Sequence, residues 1–406
     1  MVNILWVGDV GRLNSFSHIT ESMIPLMTCE SNSIFLLQPQ KTVKLPKTKS
    51  YYVGDSLSSG YNFIDFSSQC SLDDGVTLKM KYSIVQMIDI SQCEEIDYII
   101  IVMGIYEASW FMNILNKHKT KPKIIIWTPL DYIPTYSVVS DIIKADIVLT
   151  TTPNMSDMIC NLSRKHDPQH HIENKFNWVN HGFRSKLVNT CSREESYNFL
   201  RSKFTLPMGV DDTIILNANS NVDRKQLYIS IKLFQDLDTE GLYLWLHTKV
   251  TEKLLKMTKK NRNIIITHSG VDDLVLSHIY RLCQIGLQTS SGEGWSLTNC
   301  EHAKLGGVQV VPNFLATGFH FNIPGCSQFC YKVNTTTIKN EAGSECDIGI
   351  IDLRDGLKKL KGAIQLVKDP SLRCKYTESV LKQLDLWTWE GAAEKLLKLC
   401  KECNNE

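Results

Sequence analysis

The 406-residue sequence lacks a net charge: Lys plus Arg number 44 and Asp plus Glu 43, a formal total of +1. No field of one sign draws the whole molecule onto nucleic acid or an anionic membrane, so an anionic ligand must be held locally. Long hydrophobic runs are missing as well. The longest, YIIIVMGIY at 98–106 and IIIW at 124–127, fall far short of the ~20 residues that cross a bilayer and read as buried strands. The opening MVNILWVGDVGR has no basic leader and meets Asp9 before a secretory core could form. No targeting segment is expected, and the cytoplasm is the expected location. The 13 cysteines do not form a pattern: the count is odd, only Cys326/Cys330 and Cys400/Cys403 lie close, and no nearby histidines complete a four-ligand set. Reduced thiols, rather than zinc or disulfides, are the expectation.

Two catalytic signatures are also absent. The adjacent pairs Asp73–Asp74, Asp211–Asp212 and Asp272–Asp273 are not the Asp-x-Asp that holds a divalent ion on a diphosphate, so no metal is expected. Gly8 and Gly11 follow the first strand without completing Gly-x-Gly-x-x-Gly, and no acidic residue ends SIFLLQPQ. That weakens the case for a dinucleotide oxidoreductase.

The sequence does alternate. VNILWV (2–7) runs through a glycine turn into a helical pattern carrying Phe16, Ile19, Met23 and Leu26. Apolar strands follow at 33–37, 96–103, 122–128 and 145–151, with a helix at 107–119 between two of them. Continuous apolar strands interleaved with helices predict a parallel sheet covered on both faces. The pattern dies in the polar, histidine-rich stretch between about 162 and 205, then restarts with strands at 213–219, 242–248, 263–268, 285–290 and 307–312. Helices intervene at 225–237, 251–258, 272–283 and 297–305, and two more helices close the chain. The expected division is an α/β domain over 1–195, a second over 196–385, and a C-terminal helix over 386–406.

One stretch concentrates chemistry. In SSGEGWSLTNCEHAKLGG (290–307), Glu293 stands in a glycine-flanked loop and Glu301, with seven residues between, stands inside the following helix. In open α/β sheets the ligand sits beyond the carboxyl ends of the strands, and free N–H groups at a helix start attract a phosphate. Carboxylates on either side of such a phosphate can accept hydroxyls, which describes a nucleoside diphosphate sugar; helix capping and a solvated face are the plainer alternative. A second strand–loop–helix, LNANSNVDRKQL (216–227), carries Arg224 and Lys225 at its helix start. Cations there oppose the macrodipole by roughly a few tenths of a kcal/mol unless an anion lies between. They are suited to stabilise a departing diphosphate.

These residues resemble a known family. GEGWSLTNCEHAKLGGVQVVP is similar to the E-x7-E segment of retaining glycosyltransferases of the GT-B fold, specifically the large family 4, usually E-G-F-G-L-P-x-x-E-A before a small-residue turn and a V-V strand. NANSNVDRKQL resembles that family's basic motif, and WTPLDYIP, ADIVLTTT, VNHGF and LWTWEGAAEKLLKL match further segments in the same order. The resemblance implies two Rossmann-like α/β domains facing each other across a cleft, with the C-terminal helix over 386–406 packing back toward the N-terminal domain. It implies that Glu301 holds the donor's ribose and Glu293 the transferred sugar. The backbone of Gly294, Trp295, Ser296 and Leu297, with Asn219 and Thr298 alongside, would line the donor. Lys225 and Arg224 would neutralise the diphosphate, Gly8 and Gly11 would face it, and Asp131 would lie on the acceptor side near the sugar carbon. Departures are Ser220, where an arginine is common, and Trp295, Ser296 and Thr298, which make the donor loop bulkier and more polar.

The resulting expectation is transfer of a hexose-type sugar from a UDP- or GDP-linked donor to a hydroxyl acceptor, a saccharide or glycoprotein. Retention at the anomeric carbon is expected, with no metal, no cofactor beyond the donor and no nucleic-acid partner. A nucleotide-sugar epimerase and a non-catalytic sugar-nucleotide-binding protein of the same fold remain open. Lys41, Lys44, Lys47 and Lys49 form a small basic loop that allows weak peripheral membrane contact, though a solvated loop is the simpler reading.

Overall fold

The structure is a computed structural model and describes residues 2–9, 15–28, 32–37, 61–64, 96–116, 122–168, 172–184, 191–268, 270–322, 331–340 and 346–403. Gly11, the Lys41–Lys49 loop, Asp73–Asp74 and Cys326/Cys330 lie outside the described residues. The chain forms two compact units. The first comprises Met1–Leu130, Pro134–Gly182 and Thr388–Glu406; the second comprises Asp131–Ile133 and Phe183–Trp387.

In the first unit seven strands form one sheet in the order Tyr61–Ile64, Asn32–Leu37, Val2–Val7, Tyr98–Val102, Lys123–Trp127, Ile147–Thr150, Phe176–Trp178. All pairings are parallel. Strands such as Tyr98–Val102 are buried along their whole length, which only apolar residues on both faces permit. Ile4, Trp6, Ile100, Ile125, Trp127 and Leu149 line one face of this sheet. The C-terminal helix Trp389–Cys403 completes that core with Trp389, Ala392, Ala393, Leu396 and Cys400, and the Tyr98 hydroxyl donates to the Cys400 carbonyl. Gly182 is required here, because a Cβ would lie 2.5 Å from the Trp389 nitrogen.

The second unit repeats the plan. Its six parallel strands run Ile264–His268, Leu242–Thr248, Thr213–Ala218, Ile285–Leu287, Val308–Pro312, Tyr331–Val333. In chain order that is 3-2-1-4-5-6, the doubly wound arrangement, whose direction of winding reverses between strands one and four. Helices Leu227–Gln235, Leu297–Lys304, Leu353–Lys368 and Pro370–Leu384 contribute to a core with Ile215, Leu244, Val310, Tyr376 and Trp387. A hairpin, Thr335–Asn340 with Cys346–Ile351, pairs antiparallel beyond the last strand.

Candidate active site

Two loops emerge where the second sheet's winding reverses, one after Ala218 and one after Leu287, at the position where ligands bind in such sheets. The first turns through a short 3-10 segment, Asp223–Lys225, into the helix Leu227–Gln235. The second, 288–296, leads into Leu297–Lys304. They are tied together: Ser291 N–H donates to the Arg224 carbonyl at 2.8 Å, and the Thr289 hydroxyl bonds the carbonyls of Lys225 and Gln226 at 3.1 Å each.

The backbone marks this region as strained. Among the described residues, the non-glycine residues with positive φ are Gln226 (45°), Ser296 (65°) and Leu315 (48°). Each stands at the start of a helix bordering the 288–296 loop, and Ala316 N–H donates to the Glu293 carbonyl at 3.3 Å. Left-handed conformations at such residues cost about 1–3 kcal/mol each and persist where the surroundings over-determine them, typically at functional sites. The far end of Leu297–Lys304 is ordinary. Gly306 at φ 89° and Gly307 donate back to Ala303 and His302 at 3.0 Å each, the Schellman closure that the LGG turn suits.

Glu293 sits at the centre, 5% exposed. Lys225 Nζ lies 2.5 Å from its Oε1 and Arg224 Nη1 lies 3.4 Å from its Oε2, while Gln288 Nε2 donates to Oε1 at 3.2 Å. Burial opposes the charged form, but the Lys225 ammonium and Arg224 guanidinium outweigh it and hold this carboxyl below the ordinary glutamate range. Arg224 also donates to the Gly292 carbonyl and pairs with Asp131 at 3.1 Å. Asp131 accepts the Gly294 N–H at 2.9 Å. Its own carbonyl is so close that a Cβ on Gly292 would lie 1.9 Å away, which makes glycine obligatory there. The structure thus gives Asp131 a bracing contact with the glutamate loop.

Beneath the loop lies a buried amide network centred on Gln288, of whose members the family resemblance pointed only to Asn219 and Ser296. Gln288 bonds both Asn219 and Asn299, Asn219 bonds Asn217 at 2.6 Å, and Asn299 donates to Gln309 at 2.8 Å. The Ser296 hydroxyl joins through Asn299 Oδ1 at 2.8 Å. Such fully paired networks fix a unique geometry at low dielectric. For the other members the only signal in the sequence was a run of polar residues continuing past a strand.

Glu301, 2% exposed, is gripped by Arg184: Nε donates to Oε1 at 2.7 Å and Nη2 to Oε2 at 2.6 Å, while Nη1 reaches Asp273 at 3.0 Å. Burial raises the Glu301 pKa, and Arg184 opposes that rise. A bidentate arginine leaves the outer lone pairs of a carboxylate able to accept further hydrogen bonds. The next residue but one after Glu293 in the loop is Trp295. Its ring is turned into the core, 4.2 Å from His320 and 5.3 Å from Trp387 between centroids, because that side of the loop is apolar. Leu297 and Thr298 are partly buried at the helix start, and Ser220 is exposed. Gly8, in the first unit, ends the strand Val2–Val7 against Thr20 and Trp6. Among the described residues no group of three His, Cys, Asp or Glu is arranged to hold a metal ion, and no helix is long and apolar enough to cross a membrane.

No protein-family model matches this chain, and no curated protein matches it in sequence. Solved structures do. An α,α-trehalose-phosphate synthase (UDP-forming) from Burkholderia xenovorans, in complex with glucose-6-phosphate, superposes at TM-score 0.69 with 11% identity, covering 98% of this chain and 100% of that one. The sucrose-phosphate synthase of Thermosynechococcus elongatus gives 0.68 and 10%, covering 99% of each. The catalytic domain of starch synthase IV from Arabidopsis thaliana, bound to ADP and acarbose, gives 0.67 and 12%, covering 100% and 99%. The chain has their architecture, two Rossmann-like α/β units of the GT-B fold.

Proposed function

We propose that this protein is a retaining glycosyltransferase that moves a hexose-type sugar from a nucleoside diphosphate sugar, UDP- or GDP-linked, to a hydroxyl acceptor without a metal. The observation that carries the reading is Glu293, buried between Lys225 and Arg224 beside a helix start where the sheet's winding reverses. A diphosphate entering there meets two cations and a helix N-terminus, which together stabilise the charge that grows as it leaves. The proposed roles are Glu293 toward the sugar hydroxyls, Glu301 toward the ribose, and Lys225 with Arg224 toward the diphosphate. Asp131 braces the loop from the side assigned to the acceptor. Fold-mates whose descriptions name UDP-forming synthesis and bound ADP are in keeping with a nucleotide-linked donor.

Nucleotide release from a donor panel, with and without acceptor sugars, tests the reading. Lys225→Ala is expected to lower turnover about a hundredfold, ~3 kcal/mol of transition-state stabilisation. Activity that survives EDTA supports the metal-free form of the proposal, and activity restored only by a divalent ion defeats that form. A second reading, a non-catalytic sugar-nucleotide binder, is favoured by one fact: Lys225, Arg224 and Glu301 are each already paired with protein groups. Donor binding without nucleotide release, even with acceptors present, would decide for it.

A further inference from the structure

A different face of the second unit carries a charge the chain as a whole does not have. Between Lys249 and Arg262 stand six lysines and arginines and one glutamate, in a molecule whose total is +1, and all six basic side chains are exposed. The acid, Glu252, approaches Lys256 only to 3.9 Å, with side chains 93% and 81% exposed, so it neutralises little. Large apolar side chains stand exposed among them. Nine are exposed across the described residues, and four belong to this corner: Val222, Tyr228, Leu255 and Met257.

The fold brings the segments that carry these four next to one another. Asn221, beside Val222, donates to the Lys249 carbonyl and the Thr251 hydroxyl at 3.1 Å each, and the helix carrying Tyr228 packs beside Glu252–Thr258. Behind Leu255 runs a groove of about 490 Å³ floored by Ile264 and Ile266 and rimmed by Lys256 and Lys259. Its inner wall is the edge strand of the sheet.

We propose that this corner docks the protein on an anionic lipid surface. The lysines supply attraction to the head groups, and Leu255, Met257, Val222 and Tyr228 supply the short apolar insertion that a purely electrostatic contact lacks. Three of the four, Val222, Leu255 and Met257, are non-aromatic side chains that offer nothing to a nucleic-acid backbone and no ring for a base to stack on, which is why lipid is the partner the patch fits. The corner adjoins the loop that carries Arg224 and Lys225, so docking would hold the candidate site close to the bilayer surface. The docking proposal does not rest on the reaction class proposed above.

Vesicle co-sedimentation tests it. The full chain at about 0.1 M salt is mixed with vesicles of neutral phosphatidylcholine or of phosphatidylcholine with one-third phosphatidylserine. Wild type is expected to sediment with the anionic vesicles and not with the neutral ones. The exposed triple variant Lys253→Glu, Lys256→Glu, Lys259→Glu should lose at least about tenfold in partitioning. Leu255→Ser with Met257→Ser should lose the fraction of binding that persists at higher salt. Circular dichroism and melting temperature, unchanged in both variants, show that folding is intact. Equal partitioning of wild type to both vesicle types overturns the proposal. So does a triple variant that binds like wild type, which would move the contact elsewhere, and so does retention on a soluble polyanion without vesicle binding.

Discussion

Replacing Lys225 by methionine removes an ammonium 2.5 Å from Glu293 Oε1 while keeping the length of the side chain. Glu293 stays buried, 5% exposed, with Arg224 at 3.4 Å and Gln288 at 3.2 Å as its remaining partners. Breaking a buried pair from one side costs about 3–5 kcal/mol when the abandoned charge has no other partner. Arg224 remains and the Lys225 side chain is 12% exposed, so the lower end, ~3 kcal/mol, applies here. Glu293→Gln leaves a more accessible cation behind and should cost about 1–2 kcal/mol. The double variant removes both charges together. Its cost should fall short of the sum of the singles by roughly 2 kcal/mol, the signature of direct coupling. In a unit of this size ~3 kcal/mol lowers the melting temperature by about 6–12 °C, well within calorimetric precision.

The pH dependence supplies an independent check. Because Lys225 and Arg224 hold the folded pKa of Glu293 below its ordinary 4.5, its charge stabilises the wild type above that value. That contribution is lost as pH falls through the folded pKa. The penalty of Lys225→Met should therefore shrink in acid, because the carboxylate it abandons, buried without its nearest cation, takes up a proton at a higher pH than the paired one in the wild type. Strict additivity in the cycle, or a penalty that stays constant into acid, would refute the ion-pair reasoning.

Other perturbations probe the surrounding parts. Arg184→Gln should lower stability by about 2–3 kcal/mol, since it leaves Glu301 buried with its bidentate partner gone; melting curves of Arg184→Gln and Arg184→Gln/Glu301→Gln should show the double variant recovering part of the loss. Gly292→Ala places a Cβ 1.9 Å from the Asp131 carbonyl, so the loop must shift and donor binding, read by calorimetric titration, should weaken at least tenfold. His320, His302 and His247 are buried and neutral, with pKa values pushed down to about 3, 4 and 4. Since the unfolded chain protonates them near 6.5 and the folded chain does not, stability should fall as pH drops below 6.5. The slope is up to about 1.4 kcal/mol per pH unit for each, measurable by unfolding at pH 6.5, 5.5 and 4.5.

Much of this architecture can be read in the sequence because burial leaves an apolar trace. The strands Leu242–Thr248 and Val308–Pro312, and the helices Glu252–Thr258 and Leu297–Lys304, lie within a residue of their expected limits. Short or polar elements left no such trace. The three-residue strand Phe176–Trp178 and the helix Arg193–Arg201 fall in the stretch where the pattern fades. That helix announces itself only through its capping box, Ser192 with Glu195. Within the candidate site, Glu293, Glu301, Arg224 and Lys225 stand in short strand–loop–helix stretches that the sequence displays, and the family resemblance rather than spacing alone singled them out. Arg184, whose partner Glu301 is 117 positions away, could not be found in that way, nor could Gln288, whose partner Asn219 lies 69 positions back. Contacts of that range depend on how the sheet folds, and a one-dimensional pattern does not carry them. The orientation of the Trp295 ring, packed against Trp387, was likewise not legible, since a loop position does not say which way a side chain turns.

On the proposed reading, the loops at the reversal point of the second sheet hold a nucleoside diphosphate sugar and stabilise its departing diphosphate. The most direct test of that reading is nucleotide release from UDP-, GDP- and ADP-sugars, scored with thermal shift, for wild type and the Lys225→Met/Glu293→Gln variant side by side. The expected result is that at least one donor raises the melting temperature and releases nucleotide in the wild type, and that the variant loses about a hundredfold in turnover. Silence across the whole panel, or a variant that turns over as fast as wild type, would contradict the account.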